Sequence, residues 1–127
     1  MRDMIAELQC LVLDCRDPRE LAGFYASLLG GEVDRPDRRW ALDDGWSTVH
    51  TAGLVLAFQR VPDHRPPAWP GQDPPQQAHL DLAVSDLDRA HEQVLALGAS
   101  LLDGGDGRRG WNVYADPAGH PFCLVRH

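Results

Sequence analysis

The sequence predicts an α+β fold made of two copies of one strand, helix and three-strand unit. Two observations carry this. An apolar strand running into an Asp-capped amphipathic helix occurs twice in the same order, and a stretch dense in prolines separates the copies. At 127 residues with 43% hydrophobic content, the chain suits one compact domain, or two small halves sharing a core.

The segment LQCLVLD (8–14) is apolar with β-compatible alternation and opens the first unit, which spans about residues 5–61. Asp17, Pro18 and Glu20 then supply an N-cap, a first-turn proline and a capping-box acid, so a helix is predicted to start at Pro18. Leu21, Phe24, Tyr25 and Leu28 fall on one helical stripe, and Gly30-Gly31 stops the helix. RRWALDDGWSTVHT reads either as one strand with a glycine turn or as a short hairpin around Asp44-Gly45, and GLVLAFQR (53–60) closes the unit. Prolines across 61–75 disfavour helix and central strand alike, which leaves a linker over about 62–75, expected to wrap the outside.

The second unit, about 76–127, repeats the pattern. HLDLAVSD (79–86) ends in a capping Asp86, and Leu87, Ala90, Val94 and Leu97 form the expected buried stripe of a helix that stops at Gly98. Laying Cys10 on His79 lays Asp17 on Asp86, and GLVLAFQR aligns more loosely with GHPFCLVR (119–126). DPAGHP (116–121) is turn chemistry, with Asp116 as an Asx-type residue and Gly119 suited to positive φ.

Charge and cysteine content narrow the function classes. Twelve Lys plus Arg against 19 Asp plus Glu give a formal charge of −7 and no basic run, which argues against nucleic acid as a partner. No apolar stretch reaches membrane-spanning length, and the early acidic residues do not resemble a leader, so a cytoplasmic protein is expected. Cys10, Cys15 and Cys123 lack framework or CxxC spacing and read as free thiols.

CLVLDCRDPRELAGFYASLLG, its echo HLDLAVSDLDRAHEQVLALG and the closing YADPAGHPFCLV together resemble the vicinal oxygen chelate superfamily, the glyoxalase and bleomycin-resistance fold, and its small glyoxalase-like members. The resemblance implies a single glyoxalase-like domain over 1–127, in which two βαβββ modules curl an open sheet around a central cavity. It also implies a homodimer. Enzymes of the family place metal ligands on the first and last strands of each module. Carried over by position, those four places are Cys10, Ala57, His79 and Cys123, and His79 alone belongs to the usual set. Ala57 ligates nothing, and without a carboxylate at 57 or 123 there is no hard-ligand shell and no closing-strand base.

Period two puts Cys10, Val12 and Asp14 on one strand face, and His79, Asp81 and Ala83 on another, with Cys123 joining them. Trp46 and Trp111 offer flat apolar surfaces beside these acids, where a planar or cationic guest would stack. The expected ligand-binding residues are therefore Cys10, Asp14, Trp46, His79, Asp81, Trp111 and Cys123. The expected function is metal-independent binding of a small molecule, such as a toxic or antibiotic-like compound sequestered in the cavity, with no cofactor. The alternative is a zinc-dependent lyase, isomerase or hydrolase whose ion is held by Cys10, His79 and Cys123. A nucleophilic cysteine activated by His79 ranks lower, because no residue is seen to orient the imidazole. His91 lies off the apolar stripe and reads as solvated, while His64 falls in the linker and His120 in the turn.

Overall fold

The computed structural model describes residues 8–36, 44–71, 73–75 and 77–126. It divides into two compact units, Met1–Val61 and Pro62–His127, each with one four-stranded mixed sheet and one helix.

The first unit runs β1 (Leu11–Cys15), α1 (Pro18–Leu29), β2 (Glu32–Val33), β3 (Trp46–His50) and β4 (Val55–Arg60). The sheet order is β1-β4-β3-β2, with β1 parallel to β4 and the other pairs antiparallel. Helix α1 begins where its caps dictate: the Asp17 carboxylate accepts from the Glu20 N–H at 3.2 Å, and Gly30 ends the helix at φ +72°. Such a cap contributes about 1 kcal/mol by satisfying an N–H that has no partner inside the helix. The helix buries Leu21, Ala22, Phe24 and Tyr25, and its sheet contributes Val49, Leu56 and Phe58, with Tyr25 stacked on Phe58 at 5.7 Å. Leu28, the last residue of the expected stripe, is only half-buried. Asp44-Gly45 forms a turn leading into β3, whereas the preceding 37–43, where a strand or hairpin was expected to start, lie outside the described residues.

The second unit repeats the order as β5 (Leu80–Val84), α2 (Leu87–Leu97), β6 (Ser100–Asp103), β7 (Trp111–Ala115) and β8 (Pro121–Arg126), with sheet order β5-β8-β7-β6. Asp86 caps α2 through the Arg89 N–H at 3.0 Å, and Gly98 closes it at φ +112°. Leu87 and Val94 are buried on α2, and Tyr114, Phe122 and Leu124 supply the sheet's share of the core. The stripe is shorter than its spacing suggests: Leu97 is exposed and Ala90 half-buried, so the last turn contributes little to the core. His91 is not simply solvated either, because its Nδ1 lies 2.8 Å from the Tyr114 hydroxyl.

The Pro-rich segment belongs to the second unit and packs on its closing turn. His64 is buried and donates from Nε2 to the Ala118 carbonyl at 2.9 Å, with its ring 5.3 Å from that of His120. Gly119 sits at φ +90°, and a Cβ there would collide with Pro66, so this position requires glycine twice over. The Asp116 carboxylate accepts from the Ala118 and His120 N–H groups at 2.9 and 3.0 Å, which makes it the organiser of the turn.

Candidate functional site

The ladder of the second sheet fixes which side chains share a face. Asp81 is the register partner of Cys123 in the parallel β5-β8 pair, and Cys123 is the partner of Val113 in the antiparallel β7-β8 pair. Side chains directly opposite one another project to the same side, and His79, two residues before Asp81, projects there as well. Leu80, Phe122, Leu124 and Tyr114 take the other side toward α2, where the apolar core forms.

Three potential donor atoms gather on the polar face. His79 Nε2 lies 3.2 Å from Asp81 Oδ1, and the ligating atoms of His79, Asp81 and Cys123 all lie within 4.8 Å of one another. His79 and Asp81 are 37% and 62% exposed at their side chains, while Cys123 is 6% exposed and forms the floor. Burial first, and then the charge of Asp81 together with a hydrogen bond to its carboxylate, push the Cys123 thiol up to about 11. At that value about one thiol in ten thousand is ionised at pH 7, so the metal-free thiol is a poor nucleophile. The group against it is a carboxylate that stabilises the protonated form.

Beyond Val113 the same face carries a cationic clamp. Arg109 pairs with Asp103 at 3.0 Å, donates from Nε to the Trp111 carbonyl at 2.8 Å, and lays its guanidinium 3.6 Å from the centre of the Trp111 ring. The N–H of Gly105 and the Arg109 guanidinium hold Asp103 below the usual carboxylate range. One side of the Trp111 ring is therefore already engaged by a cation from its own unit.

The remaining expected site residues lie in the first unit. Asp14, Gln59 and Trp46 form a row of register partners across β1, β4 and β3, and Trp46 lines an open cleft of about 590 Å³ with Asp17, Arg19, Asp34, Asp44 and Arg60. Cys10 precedes β1, is half-buried, and has its thiol raised by that burial. Ala57 is fully buried between its partners Val12 and Thr48.

A family model described as a glyoxalase-like domain matches residues 10–125. The chain belongs to this glyoxalase-like family. Solved structures with the same fold include a glyoxalase/bleomycin resistance protein/dioxygenase family enzyme from Burkholderia phytofirmans (TM-score 0.71, 15% identity, 95% of this chain and 98% of that one). The fosfomycin resistance protein FosX from Listeria monocytogenes is also similar (TM-score 0.69, 17% identity, 98% and 95%), as is hypothetical protein SA1046 from S. aureus (TM-score 0.69, 17% identity, 98% and 100%). A mutant of the Listeria protein is known in complex with Mn(II) and a dihydroxypropylphosphonic acid. No curated protein matches the chain. Among the described residues, no helix is long and apolar enough to cross a membrane.

The metal that the fold family implies has only a partial shell at the four family places, because the buried Ala57 offers no donor atom. In the second unit a further potential donor, Asp81, lies beside His79 and Cys123 and outside those places. Imidazole, carboxylate and thiol within one small cluster form a donor set suited to a zinc-type ion and ill suited to Mg²⁺ or Ca²⁺, which prefer oxygen alone. The position of Asp81 two residues after His79 was readable in the sequence; its pairing with Cys123 needed the β5-β8 register.

Proposed function

We propose that this glyoxalase-like protein binds a small molecule on the polar face of its second unit. The observation carrying the proposal is the convergence of His79, Asp81 and Cys123 on one partly exposed sheet face, where a few polar groups meet beside apolar surface. Asp81 presents an acceptor to a ligand donor or cation, His79 accepts or donates according to its tautomer, and Trp111 and Arg109 border the face. The names of the FosX neighbours support a toxic or antibiotic-like compound as the ligand class. In its metal-independent form this reading is supported by the missing donor at Ala57.

The same donor set favours a second reading, a zinc-dependent lyase, isomerase or hydrolase. An ion held by these residues supplies Lewis-acid polarisation of a bound oxygen or an acidified water. The chain's own contributions are to hold the donors in place on a strand ladder and to keep Cys123 away from water. The family resemblance further supports a homodimer, which light scattering of the purified protein checks, and cysteines that form no disulfide support a reducing, cytoplasmic compartment.

The test is tryptophan fluorescence titrated with a panel of antibiotics and planar or cationic drugs, with and without chelator. The reading predicts at least one saturable response that Asp81→Asn weakens and Asp14→Asn leaves alone. Silence across the panel in both conditions would sink it.

A further inference from the structure

We propose that the polar face of the second unit selects a planar cationic donor, an aryl amidine or a protonated amino-heterocycle, and turns carboxylates and phosphonates away. The proposal rests on the reading that this face is the binding face, and it names the class of ligand. Asp81 and His79 grip the charged head, and the ring lies toward Trp111.

Hydrogen-bond accounting argues for it first. The Asp81 carboxylate offers about four acceptor positions. The Cys123 thiol takes one, and His79 Nε2, 3.2 Å from Oδ1, faces another. The Asp81 side chain is largely exposed, so the remaining positions open to a ligand. A lone pair on Nε2 would be set against the carboxylate, so the neutral imidazole carries its proton there and leaves Nδ1 as an acceptor. Carboxylate and imidazole thus both call for N–H groups, and the hydrogen of the Cys123 thiol is already directed to Asp81.

Charge argues for it next. Arg109 is the cation whose charge is felt at Cys123, and it is committed elsewhere. Its guanidinium lies 3.0 Å from Asp103 Oδ1 and donates to the carbonyls of Asp103 and Trp111, both at 2.8 Å. With Arg109 neutralised by Asp103, the charge left to a ligand on this face is that of Asp81. An anion arriving here gives up hydration and meets a carboxylate with no cation in return, which discriminates against it.

Spacing sets the shape of the ligand. Asp81, Cys123 and Val113 form one row across β5, β8 and β7, and Ala83, Val125 and Trp111 form the next row on the same face. Such rows are about 7 Å apart along the strands, and β5 and β7 are about 10 Å apart across the sheet. An aryl ring joined directly to an amidinium covers the gap left between the Asp81 and Trp111 side chains. Arg109 stacks on one side of the Trp111 ring at 3.6 Å, and the part of the ring that stays exposed is what a ligand ring meets. The two parallel N–H groups of an amidinium match a carboxylate in plane, a geometry that an alkyl ammonium lacks.

Isothermal titration calorimetry at pH 8 with chelator present tests the selection, using benzamidine, benzamide, benzoate and phenylphosphonate, which share one ring and differ in the head. The expected result is saturable binding of benzamidine, weaker binding of benzamide, and none of either anion. Asp81→Asn weakens benzamidine binding about 10- to 100-fold, the worth of a hydrogen bond to a charged group. Asp88→Asn, which removes the same charge from an exposed position on α2, leaves it unchanged. Both positions are exposed, and circular dichroism of each variant verifies the fold. Benzoate or phenylphosphonate binding as tightly as benzamidine, a benzamidine affinity untouched by Asp81→Asn, or silence with all four probes would overturn the proposal. A drug-panel response alongside any of these would keep the small-molecule reading and remove the ligand class alone, so the two failures are separable.

Discussion

Val12 pairs with Ala57 in the first unit where Asp81 pairs with Cys123 in the second, and Cys10 stands where His79 does. The strands, their order and their registers correspond, and so do the capped helices beside them. On the helix side both units spend their residues alike, on Leu56 and Phe58 in one and Phe122 and Leu124 in the other, all fully buried. On the opposite side they diverge: a buried alanine beside a valine in one, a thiol beside a carboxylate in the other. The repeated architecture therefore dictates the core, while the opposite face is free to differ, and among the described residues the cluster of three potential metal donors lies in the second unit.

That contrast is open to breakage. The largest effects belong to the shared side: Phe58→Ala and Leu124→Ala each empty a fully buried position and are expected to cost about 2–5 kcal/mol, measured by denaturant unfolding. A near-silent result in one unit alone would show that its helix side is not a true core. On the divergent side, Ala57→Asn buries an amide in a fully enclosed place and is expected to cost about 1–3 kcal/mol, whereas Asp81→Val at an exposed position stays within about 0.5 kcal/mol. Equal costs would erase the distinction between the faces. The caps are expected to be alike and smaller, about 1 kcal/mol for either Asp17→Ala or Asp86→Ala, read as shifts in the same unfolding curves.

The smallest effect concerns the acidity of Cys123. Its raised value means that the folded state binds the thiol proton more tightly than the unfolded chain, so this contribution to stability is present at neutral pH and lost as pH climbs from about 9 toward about 11. In a Cys10→Ser, Cys15→Ala background, alkylation by iodoacetamide should be slow at pH 8 and accelerate toward pH 11. Asp81→Asn removes the carboxylate's share and lowers that midpoint, but burial keeps it above the ordinary thiol value. An unchanged profile would mean that Asp81 does not act on the thiol.

Much of the architecture was legible because its signals are local. Asp17 with Pro18, and Asp86 with Gly98, mark helix ends through side chains that satisfy backbone groups a few residues away. Period two likewise placed His79, Asp81 and Cys123 on one face. What the sequence withheld depends on long-range register. Asp81 was foreseen as a ligand contact and not as the partner of a thiol, because its adjacency to Cys123 arises only when β5 and β8 pair. The His91–Tyr114 bond and the guanidinium lying over Trp111 join residues whose proximity no spacing rule announces. The exposed Leu97 shows the opposite error, in which helical periodicity continues past the point where the sheet stops covering it.

The most direct measurement is a two-dimensional NMR titration of the chelator-treated protein with benzamidine, which reads both units at once. The account predicts saturable shifts concentrated on Leu80–Asp81, Phe122–Leu124 and the Trp111 indole, with Leu11–Val12 and Leu56–Phe58 unmoved. Shifts centred on the first-unit pair, or no saturable shifts in either unit, would contradict it.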